Sequence, residues 1–502
     1  MHIVFASLAF PIWIRLTHYI NLLFIGLLIR SGLQIAGAHP RLYWNDGCNP
    51  DSAWLTLTKK KVPKDKLYTS MDDEIAVSPL LALPGEDNLG LGRHWHFFSV
   101  IFWILNGVVY VVLLFATGEW ARLIPTSWSI IPQAWHTLLI YLSFHIPPAS
   151  DFHPFDPLQQ LAYAGVVFLL APFMLLTGAA MSPAIEARFP WYVKLFGGKQ
   201  AARSLHFLSL IAFVLFIIVH TALVLIVHFQ DNIRNIVLGA GSSNFGLAAA
   251  IAVIALLIVA AIYVWTSWYS LRHRRQTQHA LGFLVDPLRM LLLHKETSKQ
   301  HYELSDITSY FWVNGYPPAT EEFKQLAEHN FVDWRLNVCG LVVSPLCLSL
   351  DDLRSQPKQT QITKHNCIQG WSGVAEWGGV PLREILKFCG PLPEAKYLVF
   401  TSYQHGKRSY PKAEEAREQP FYEVIDMELA KHPQTILAYE MNGKPLPLEH
   451  GAPLRLRVET QLGYKMVKYL RSIELVAEYN HIGEGQGGFR EDYQFYGTSA
   501  EI

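Results

Sequence analysis

Residues 203–220 read RSLHFLSLIAFVLFIIVH, an apolar stretch with one histidine near each end. An α-helix turns about 100° and rises about 1.5 Å per residue, so His206 and His220 would lie within about 40° of one face and roughly 21 Å apart along the axis. One imidazole would then lie near each membrane surface. Neutral imidazole is a good iron ligand, and an ionisable residue inside a membrane is a functional candidate. The stretch therefore predicts a membrane helix with two iron ligands; a pair of hydrogen-bonded structural histidines is the alternative.

The composition also indicates a membrane protein. Charged residues make up 16% of the 502, hydrophobic residues 51% and aromatic residues 13%. Ordinary soluble domains are charged at about a quarter of their positions. The 41 basic and 41 acidic residues cancel, so nothing indicates a nucleic-acid partner. The five cysteines form no CxxC pair, which favours neither a disulfide framework nor a structural zinc site.

Several stretches are long and apolar enough to cross a hydrocarbon core, which takes about 20 residues. The first contains Arg15 and Arg30, and charges inside a membrane need partners. Residues 128–146 are uncharged as well, but Pro132 and two histidines favour an interfacial or re-entrant helix over a sixth span. The five predicted spans lie near residues 11–36, 94–118, 159–182, 204–229 and 245–269.

Most of the chain's charges follow the fifth predicted span. Short β-rich runs such as residues 397–401, and a hairpin turn at Asn442-Gly443, indicate a mixed α/β domain there. We therefore predict three regions: a transmembrane domain at 1–275, a linker at 276–305 and a soluble mixed α/β domain at 306–502.

The distribution of Lys and Arg predicts the orientation. Basic residues concentrate between residues 41 and 93, between 188 and 203, and directly after the fifth span. With five spans these segments all lie on one side, and basic loops favour the cytoplasmic side. The expectation is a protein of the bacterial inner (plasma) membrane with its soluble domain in the cytoplasm.

Two other predicted helices offer partners for His206 and His220. His18 lies early in the first span, and His94 and His96 lie at the start of the second. If the spans alternate in direction, His18 and His220 share one membrane depth while His96 and His206 share the other. His94 and His96 are about 200° apart on a helix, so only one of them can face the bundle. The arrangement predicts two stacked bis-histidine haems.

Several motifs accompany these histidines. They include Arg15-Leu-Thr-His18, Arg93-His-Trp-His96, Leu176-Thr-Gly178 and Arg203-Ser-Leu-His206. Over about 230 residues the region resembles the two-haem membrane cytochrome b subunits of nickel-iron hydrogenases and formate dehydrogenases. The resemblance implies a four-helix bundle holding two b haems, with the fifth span an addition and a quinone as electron partner. It also favours His96 over His94.

The soluble domain has one cysteine in an unusual setting, His365-Asn-Cys367-Ile-Gln-Gly-Trp371. A thiolate suits a transition metal, and a neighbouring glycine lets the backbone approach a bulky cofactor. A buried structural cysteine is the alternative. Residue chemistry alone does not name the cofactor.

Three further motifs are Trp334-Arg-Leu-Asn-Val-Cys-Gly-Leu-Val343, Gly451-Ala-Pro-Leu-Arg455 and Gly463-Tyr464-Lys465. Residues 311–476 resemble the molybdopterin domain of the sulfite oxidase family. The resemblance implies that Cys367 ligates molybdenum and is the catalytic residue, and that Arg455 and Lys465 carry the pterin phosphate and pyran contacts. It also implies that five further residues contact the cofactor: Asn314, Ser402, His450, Gly463 and Tyr464. At the position of His450 the closest relatives have asparagine.

The residues after Cys367 bear on the reaction. True sulfite oxidases continue with Ala-Gly-Asn-Arg, whose arginine helps to bind an anionic substrate. The run Ile368-Gln-Gly-Trp371 looks more like the Cys-Val-Glu-Ala-Trp run of bacterial methionine-sulfoxide reductase catalytic subunits. Those relatives are periplasmic, which is the alternative to the cytoplasmic placement.

The sequence therefore predicts a membrane-bound molybdenum oxidoreductase that couples oxygen-atom transfer to electron transfer through two b haems and the quinone pool. Reduction of a sulfoxide-like substrate is favoured. The alternatives are a sulfite-type dehydrogenase that donates electrons to quinone, and a haem electron-relay protein with a non-catalytic soluble domain. Predicted partners are the lipid bilayer, a quinone or quinol and a small oxygen-atom donor or acceptor, with a homo-oligomer left open.

Overall fold

The computed structural model describes residues 10–143, 145, 156–239, 243–293, 300–405, 419–497 and 500. The chain divides into two compact units. Unit 1 comprises Met1–Gly32, Trp95–Ala179 and Arg203–Arg272. Unit 2 comprises Leu33–His94, Ala180–Ala202 and His273–Ile502.

Within the described residues, five helices are long and apolar enough to cross a membrane, as predicted. The third contains a π-helical turn at Val166–Leu170. It starts with Asp156 capping the helix and Pro157 at its first position, where a missing N–H costs nothing. Spans 1 to 5 are Ile12–Ala38, Leu89–Ala116, Pro157–Ala180, Lys199–Ile226 and Phe245–Arg272.

The two arginines of span 1 have partners within unit 1. Arg15 Nη1 donates to the Val237 carbonyl at 2.8 Å. Arg30 donates to the Tyr263 carbonyl at 2.8 Å and to Ser267 Oγ at 2.6 Å, both on span 5. These bonds satisfy charged donors that would be costly in lipid.

The stretch at 128–146 contains the helix Ile130–Leu142, which has 13 residues. A helix of that length is about 20 Å long, short of a hydrocarbon core of about 30 Å. Residues 144 and 146 lie outside the described part of the chain. The helix agrees with the interfacial interpretation of the sequence.

Unit 2 is built around two five-stranded sheets. Their strands are β3 Leu336–Gly340, β4 Leu346–Leu348, β5 Gln359–Asn366, β6 Ser372–Pro381, β7 Tyr397–His405, β8 Pro420–Asp426, β9 Thr435–Met441, β10 Lys444–Pro445, β11 Arg455–Val458 and β12 Leu470–Val476. In one sheet the order is β10-β9-β6-β5, and β11 also pairs with β9; in the other sheet the order is β4-β3-β12-β7-β8. The pairing of β12 with β3 is parallel, and the other pairs are antiparallel.

Local sequence explains the sheets well. In β3, Leu336 and Val338 are buried while Asn337 is exposed, the alternation expected of a strand with one face on a core. Asn442 and Gly443 join β9 to β10 with φ of 52° and 69°, as the predicted hairpin turn requires. The core between the strands includes Trp334, Leu398, Phe400, Leu456 and Ile473.

Short helices surround the sheets. The helix Arg274–Leu293 occupies much of the predicted linker, and the domain bounds 1–275 and 306–502 stay a prediction. The other short α-helices in the described part of unit 2 are Ser70–Asp73, Pro183–Arg188, Pro190–Lys194, Glu321–Glu328, Leu350–Arg354, Leu382–Cys389, Met427–Lys431 and Phe489–Tyr493.

The two segments that connect spans 1 and 2 and spans 3 and 4 are integral parts of unit 2. The first contains the strand pair β1 Arg41–Leu42 and β2 Leu55–Thr56. Arg41 binds Asp73 through two hydrogen bonds of 2.8 and 2.9 Å, and both side chains are buried. Lys364 of β5 pairs with Asp46 at 2.5 Å and with Glu186 at 2.6 Å, one carboxylate from each connecting segment. Lys364 therefore ties both segments to the sheet that contains β5.

Candidate metal centres

The predicted haem ligands lie on the helices of unit 1. The rings of His18 and His220 are 6.2 Å apart between centroids. Two imidazoles on one metal, each with a metal–nitrogen bond of about 2 Å, would have their centroids about 6 Å apart. Tyr163 Oη lies 3.2 Å from His220 Nδ1. The spacing fits an iron held between these two rings.

The other two predicted ligands also have their Nδ1 atoms engaged. His96 Nδ1 lies 3.1 Å from Ser31 Oγ. His206 Nδ1 lies 3.2 Å from Thr177 Oγ1 and 3.1 Å from the Met174 carbonyl. A hydrogen bond at Nδ1 fixes the ring orientation and leaves Nε2 for a metal. Gly178 allows the close approach of His206, whose Cε1 would be 3.4 Å from a Cβ at that position.

His94 differs from these residues. It is buried, and its Nδ1 lies 2.9 Å from the Gly90 carbonyl, one turn earlier in its own helix. That bond is typical of a structural histidine at the start of a helix, in agreement with the preference for His96.

Cys367 lies in the tight turn between β5 and β6. Its N–H donates to the Trp371 carbonyl at 3.0 Å, and Gly370 N donates back to the Cys367 carbonyl at 3.1 Å. Gly370 has a φ of 116°, which a side chain would strain. Burial raises the pKa of the Cys367 thiol to about 12. Such a thiol is a poor nucleophile, whereas a bound metal would stabilise its thiolate.

Two amide side chains flank the Cys367 sulfur. Asn314 Nδ2 lies 4.0 Å from Sγ, and Gln369 Oε1 lies 3.3 Å from it. Gln369 Oε1 also accepts a hydrogen bond from Trp371 Nε1 at 2.9 Å. These contacts fix the cysteine side chain from both sides.

A cavity of about 660 Å³ opens next to this turn. Asn314, His450, Arg455, Gly463 and Tyr464, five of the residues that the sequence predicted to bind the cofactor, line it. Cavities of this size hold cofactor-sized ligands. Its other polar and aromatic lining residues include Phe311, Trp312, His365, Trp371, Lys468 and Arg490.

The cavity has an excess of positive charge. Arg455 stacks on Trp377 with its guanidinium carbon 4.8 Å from the ring centroid and donates to the His450 carbonyl at 2.8 Å. Its buried Nε has no hydrogen-bond partner among the described residues. Burial and the neighbouring Arg457 lower the pKa of Arg455 to about 9.

The pKa values of Lys468 and His450 are also lowered by burial and by neighbouring cations. Burial, Arg455 and Arg490 hold the pKa of Lys468 well below its ordinary value. Burial, Lys468 and Arg455 lower the pKa of His450 to about 3. Buried cations without counter-charges are costly unless an anion joins them. The lining therefore fits an anionic cofactor such as a pterin phosphate.

Lys465, predicted to contact the cofactor, does not line this cavity. Its ammonium donates to Glu423 Oε2 at 3.0 Å and to the Gly487 carbonyl at 3.2 Å, and it also pairs with Glu491. Two buried carboxylates thus engage this lysine. Its neighbour three residues later, Lys468, supplies the cavity's ammonium instead.

Ser402 acts on the cavity indirectly. Its buried hydroxyl donates to the Lys468 carbonyl at 2.6 Å and accepts from Gln404 N at 2.9 Å. It is not among the lining residues of the described cavity. Ser402 therefore positions the backbone of Lys468.

Gly463 is required for steric reasons. A Cβ there would lie 2.3 Å from His365 Nε2. His365 stacks on Trp371 with a centroid distance of 5.3 Å and meets Arg457 Nη1 through its Nδ1 at 3.0 Å. Burial and the nearby arginines hold the pKa of His365 well below its ordinary value, so the ring is neutral.

Residues that the sequence did not predict complete the surroundings of Cys367. Arg490, from the helix Phe489–Tyr493, lines the large cavity. Glu74, from the segment between spans 1 and 2, accepts a hydrogen bond from Gln369 Nε2. Neither lies in a recognisable motif, because both reach the site through loops distant in sequence.

Paired histidines on membrane helices and a buried cysteine beside a cationic cavity define a membrane-bound haem and molybdopterin oxidoreductase. Residues 9–239 match the protein family described as "Prokaryotic cytochrome b561", and residues 324–482 match the family described as "Oxidoreductase molybdopterin binding domain". The chain belongs to both families, through its membrane part to the cytochrome b561 proteins and through its second part to the molybdopterin-binding oxidoreductases. It carries both a b haem domain and a molybdenum cofactor domain.

Individual relatives match one part each. A chain named "Putative protein-methionine-sulfoxide reductase subunit YedZ1", from Azospira oryzae, is 33% identical over 220 residues, which are 43% of this chain and 71% of the relative. The catalytic subunit MsrP from Campylobacter jejuni is 32% identical over 204 residues, 39% of this chain and 68% of its own. MsrP from Xanthomonas campestris is 35% identical over 183 residues, 36% of this chain and 56% of its own.

Proposed function

We propose that this chain reduces a sulfoxide, in the manner of methionine sulfoxide, with electrons from a membrane quinol. The observation that carries the proposal is the presence of both centres in one chain: Cys367 beside a cationic cavity, and histidines paired at 6.2 Å on membrane helices. The names of the relatives indicate the substrate class.

The proposed assignment of residues follows from their contacts. Cys367 would ligate molybdenum, with Asn314 next to its sulfur. Arg455 and Lys468 would bind the anionic end of the pterin, and Gly463 and Tyr464 would line its binding cavity. The bound cofactor supplies two-electron oxygen-atom exchange, and the protein supplies position and electrostatics.

We assign two b haems to unit 1, one held by His18 and His220 and one by His96 and His206. The engaged Nδ1 atoms of His96, His206 and His220 support this assignment. Quinol would deliver electrons singly to the haems, and the molybdenum site would collect two per turnover. The concentration of basic residues in the segments of unit 2 supports a cytoplasmic side for that unit, with the periplasmic side as the alternative.

A second candidate function is oxidation of a small oxyanion such as sulfite, with quinone as acceptor. Arg490 favours it, because this arginine lines the cavity and could take the place of the arginine that sulfite oxidases carry after their cysteine. A guanidinium binds such anions well. In the first function electrons would flow from quinol to the molybdenum site, and in the second they would flow from the molybdenum site to quinone.

Redox-difference spectra of the b haems in the purified full-length protein separate these functions. Haems reduced by quinol should be reoxidised when methionine sulfoxide is added. Reduction of oxidised haems by sulfite would establish the second function instead. In Cys367→Ser the haem spectra and quinol reduction should persist while sulfoxide-dependent reoxidation is lost; unchanged reoxidation would refute the molybdenum assignment.

A further inference from the structure

A second, smaller cavity lies beside the large one in unit 2. It has a volume of about 30 Å³, and Met71 and Arg490 line both cavities. A polar space of that size has room for a water molecule. Its remaining polar lining consists of Gln34, Glu74, Asp87, Gln494 and Tyr496.

Glu74 links this small cavity to the turn that carries Cys367. Its carboxylate accepts a hydrogen bond from Gln369 Nε2, and Gln369 Oε1 lies 3.3 Å from Cys367 Sγ. The backbone at Glu74 is held by Lys60, whose Nζ donates to the Glu74 carbonyl at 2.6 Å. Next to it, Asp73 is fixed by its ion pair with Arg41. A carboxylate is thus held two hydrogen bonds from the sulfur.

One residue that lines the small cavity, Asp87, is exposed to solvent. Asp87 and Glu74 thus line one polar, water-sized cavity, and Arg490 lines both this cavity and the large one. Carboxylates joined by water are efficient proton carriers.

The proposed reaction needs such a route. Reduction of a sulfoxide breaks the sulfur–oxygen bond, consumes two electrons and two protons, and releases a sulfide and one water. The haems can supply the electrons, but they carry no protons. Among the described residues that line the large cavity there is no carboxylate.

We propose that Glu74 is the proton-relay residue of the molybdenum site, passing protons from solvent by way of the small cavity to the oxygen that leaves as water. Gln369 holds the Glu74 carboxylate in place and water carries the proton, so Glu74 does not touch the metal and is a positioning residue. The inference rests on the proposed sulfoxide reduction. It assigns a part of the reaction to the segment between spans 1 and 2.

The surroundings of Glu74 suit this role. The pKa of Glu74 is raised to about 7: burial raises it most and Asp87 adds to the rise, while the hydrogen bond from Gln369 and the charges of Arg490 and Lys60 oppose it. Tyr496 is the other titratable group that lines the small cavity. A carboxyl that changes protonation near neutral pH can both receive and release a proton at physiological pH. Because the protonated form is the donor, sulfoxide reduction should slow as the pH rises through about 7.

The test compares full-length wild type, Glu74→Gln, Glu74→Asp and Asp65→Asn. Asp65 is an exposed carboxylate on the same segment and controls for a general loss of charge. We expect Glu74→Gln to lower kcat for methionine sulfoxide about a hundredfold, which is within the range typical of a lost proton donor. The decrease of kcat with rising pH near neutrality should also become flatter. Molybdenum content and haem reduction by quinol should be unchanged. Glu74→Asp should restore part of kcat with a displaced pH profile, and Asp65→Asn should match wild type.

Infrared spectroscopy tests whether Glu74 exchanges protons and needs no turnover. pH-difference spectra of wild type should show a carboxylic acid band that titrates near neutrality and is absent from Glu74→Gln. If wild type reduces no sulfoxide, the proposed function fails, and this band alone decides whether Glu74 exchanges protons. Wild-type kcat and pH profile in Glu74→Gln, or a titrating band that survives the substitution, would overturn the relay.

Discussion

Lys199 Nζ donates a hydrogen bond of 2.8 Å to Asn366 Oδ1, and both side chains are buried. Lys199 is the first residue of span 4, and Asn366 directly precedes Cys367. The next residue of the span, Gln200, donates to the Gly370 carbonyl at 2.8 Å. The start of a membrane helix therefore holds both ends of the turn that carries the predicted molybdenum ligand.

Replacing Lys199 by methionine should loosen this turn. The change leaves Asn366 Oδ1 buried without its charged donor, which costs about 1.5–3 kcal/mol. We expect a lower melting temperature and a broadened molybdenum electron paramagnetic resonance signal, with b haem content retained. Lys194→Met is the matched control, because Lys194 is exposed. Equal behaviour of the two variants would show that the bond does not hold the turn.

The two lysines near the cavity should behave in opposite ways. Lys468→Met removes a cation from the cavity lining, so molybdenum and pterin content should fall while the apoprotein keeps its melting temperature. Lys465→Met leaves Glu423 and Glu491 buried without a counter-charge, which costs about 3–5 kcal/mol. Cofactor analysis and thermal unfolding measure the two effects. Cofactor loss confined to the Lys465 variant would restore the assignment made from the sequence.

The membrane part of the fold follows from the sequence because lipid imposes simple rules. A helix must be about 20 apolar residues long, and its period fixes which histidines share a face. These rules predicted five spans and placed His18 beside His220, now 6.2 Å apart. They could not show that the segments between spans belong to unit 2, since the hydrophobic residues of loops have no regular spacing.

The site was only partly predictable for the same reason. Arg455 and Tyr464 follow from motifs and Asn314 from the family resemblance, and all three line the cavity. Lys465 and Lys468 stand three residues apart around a 3₁₀ turn, and sequence does not decide which of them faces the cofactor. Glu74 and Arg490 reach the site only through tertiary folding.

The haem assignment predicts a clear difference between neighbouring histidines. His96→Ala and His206→Ala should each remove one b haem per chain, seen as half the pyridine haemochrome absorbance of wild type. His94→Ala is the control, because His94 bonds to its own helix at Gly90 and should keep full haem content. Haem loss in the His94 variant with full content in the His96 variant would reverse the assignment.

The charge distribution predicts that unit 2 faces the cytoplasm, and the chain contains a natural probe for this. Cys347 on β4 is exposed, whereas Cys48, Cys367 and Cys389 are buried. The side chain of Cys339 is also exposed, but partial desolvation of its thiol and the charge of Glu474 raise its pKa, which slows its reaction. In a Cys339→Ser background, a membrane-impermeant maleimide should label Cys347 only after the cells are permeabilised, and Cys347→Ser should abolish the signal. Labelling in intact spheroplasts would place unit 2 in the periplasm, where the basic segments would contradict the usual charge rule.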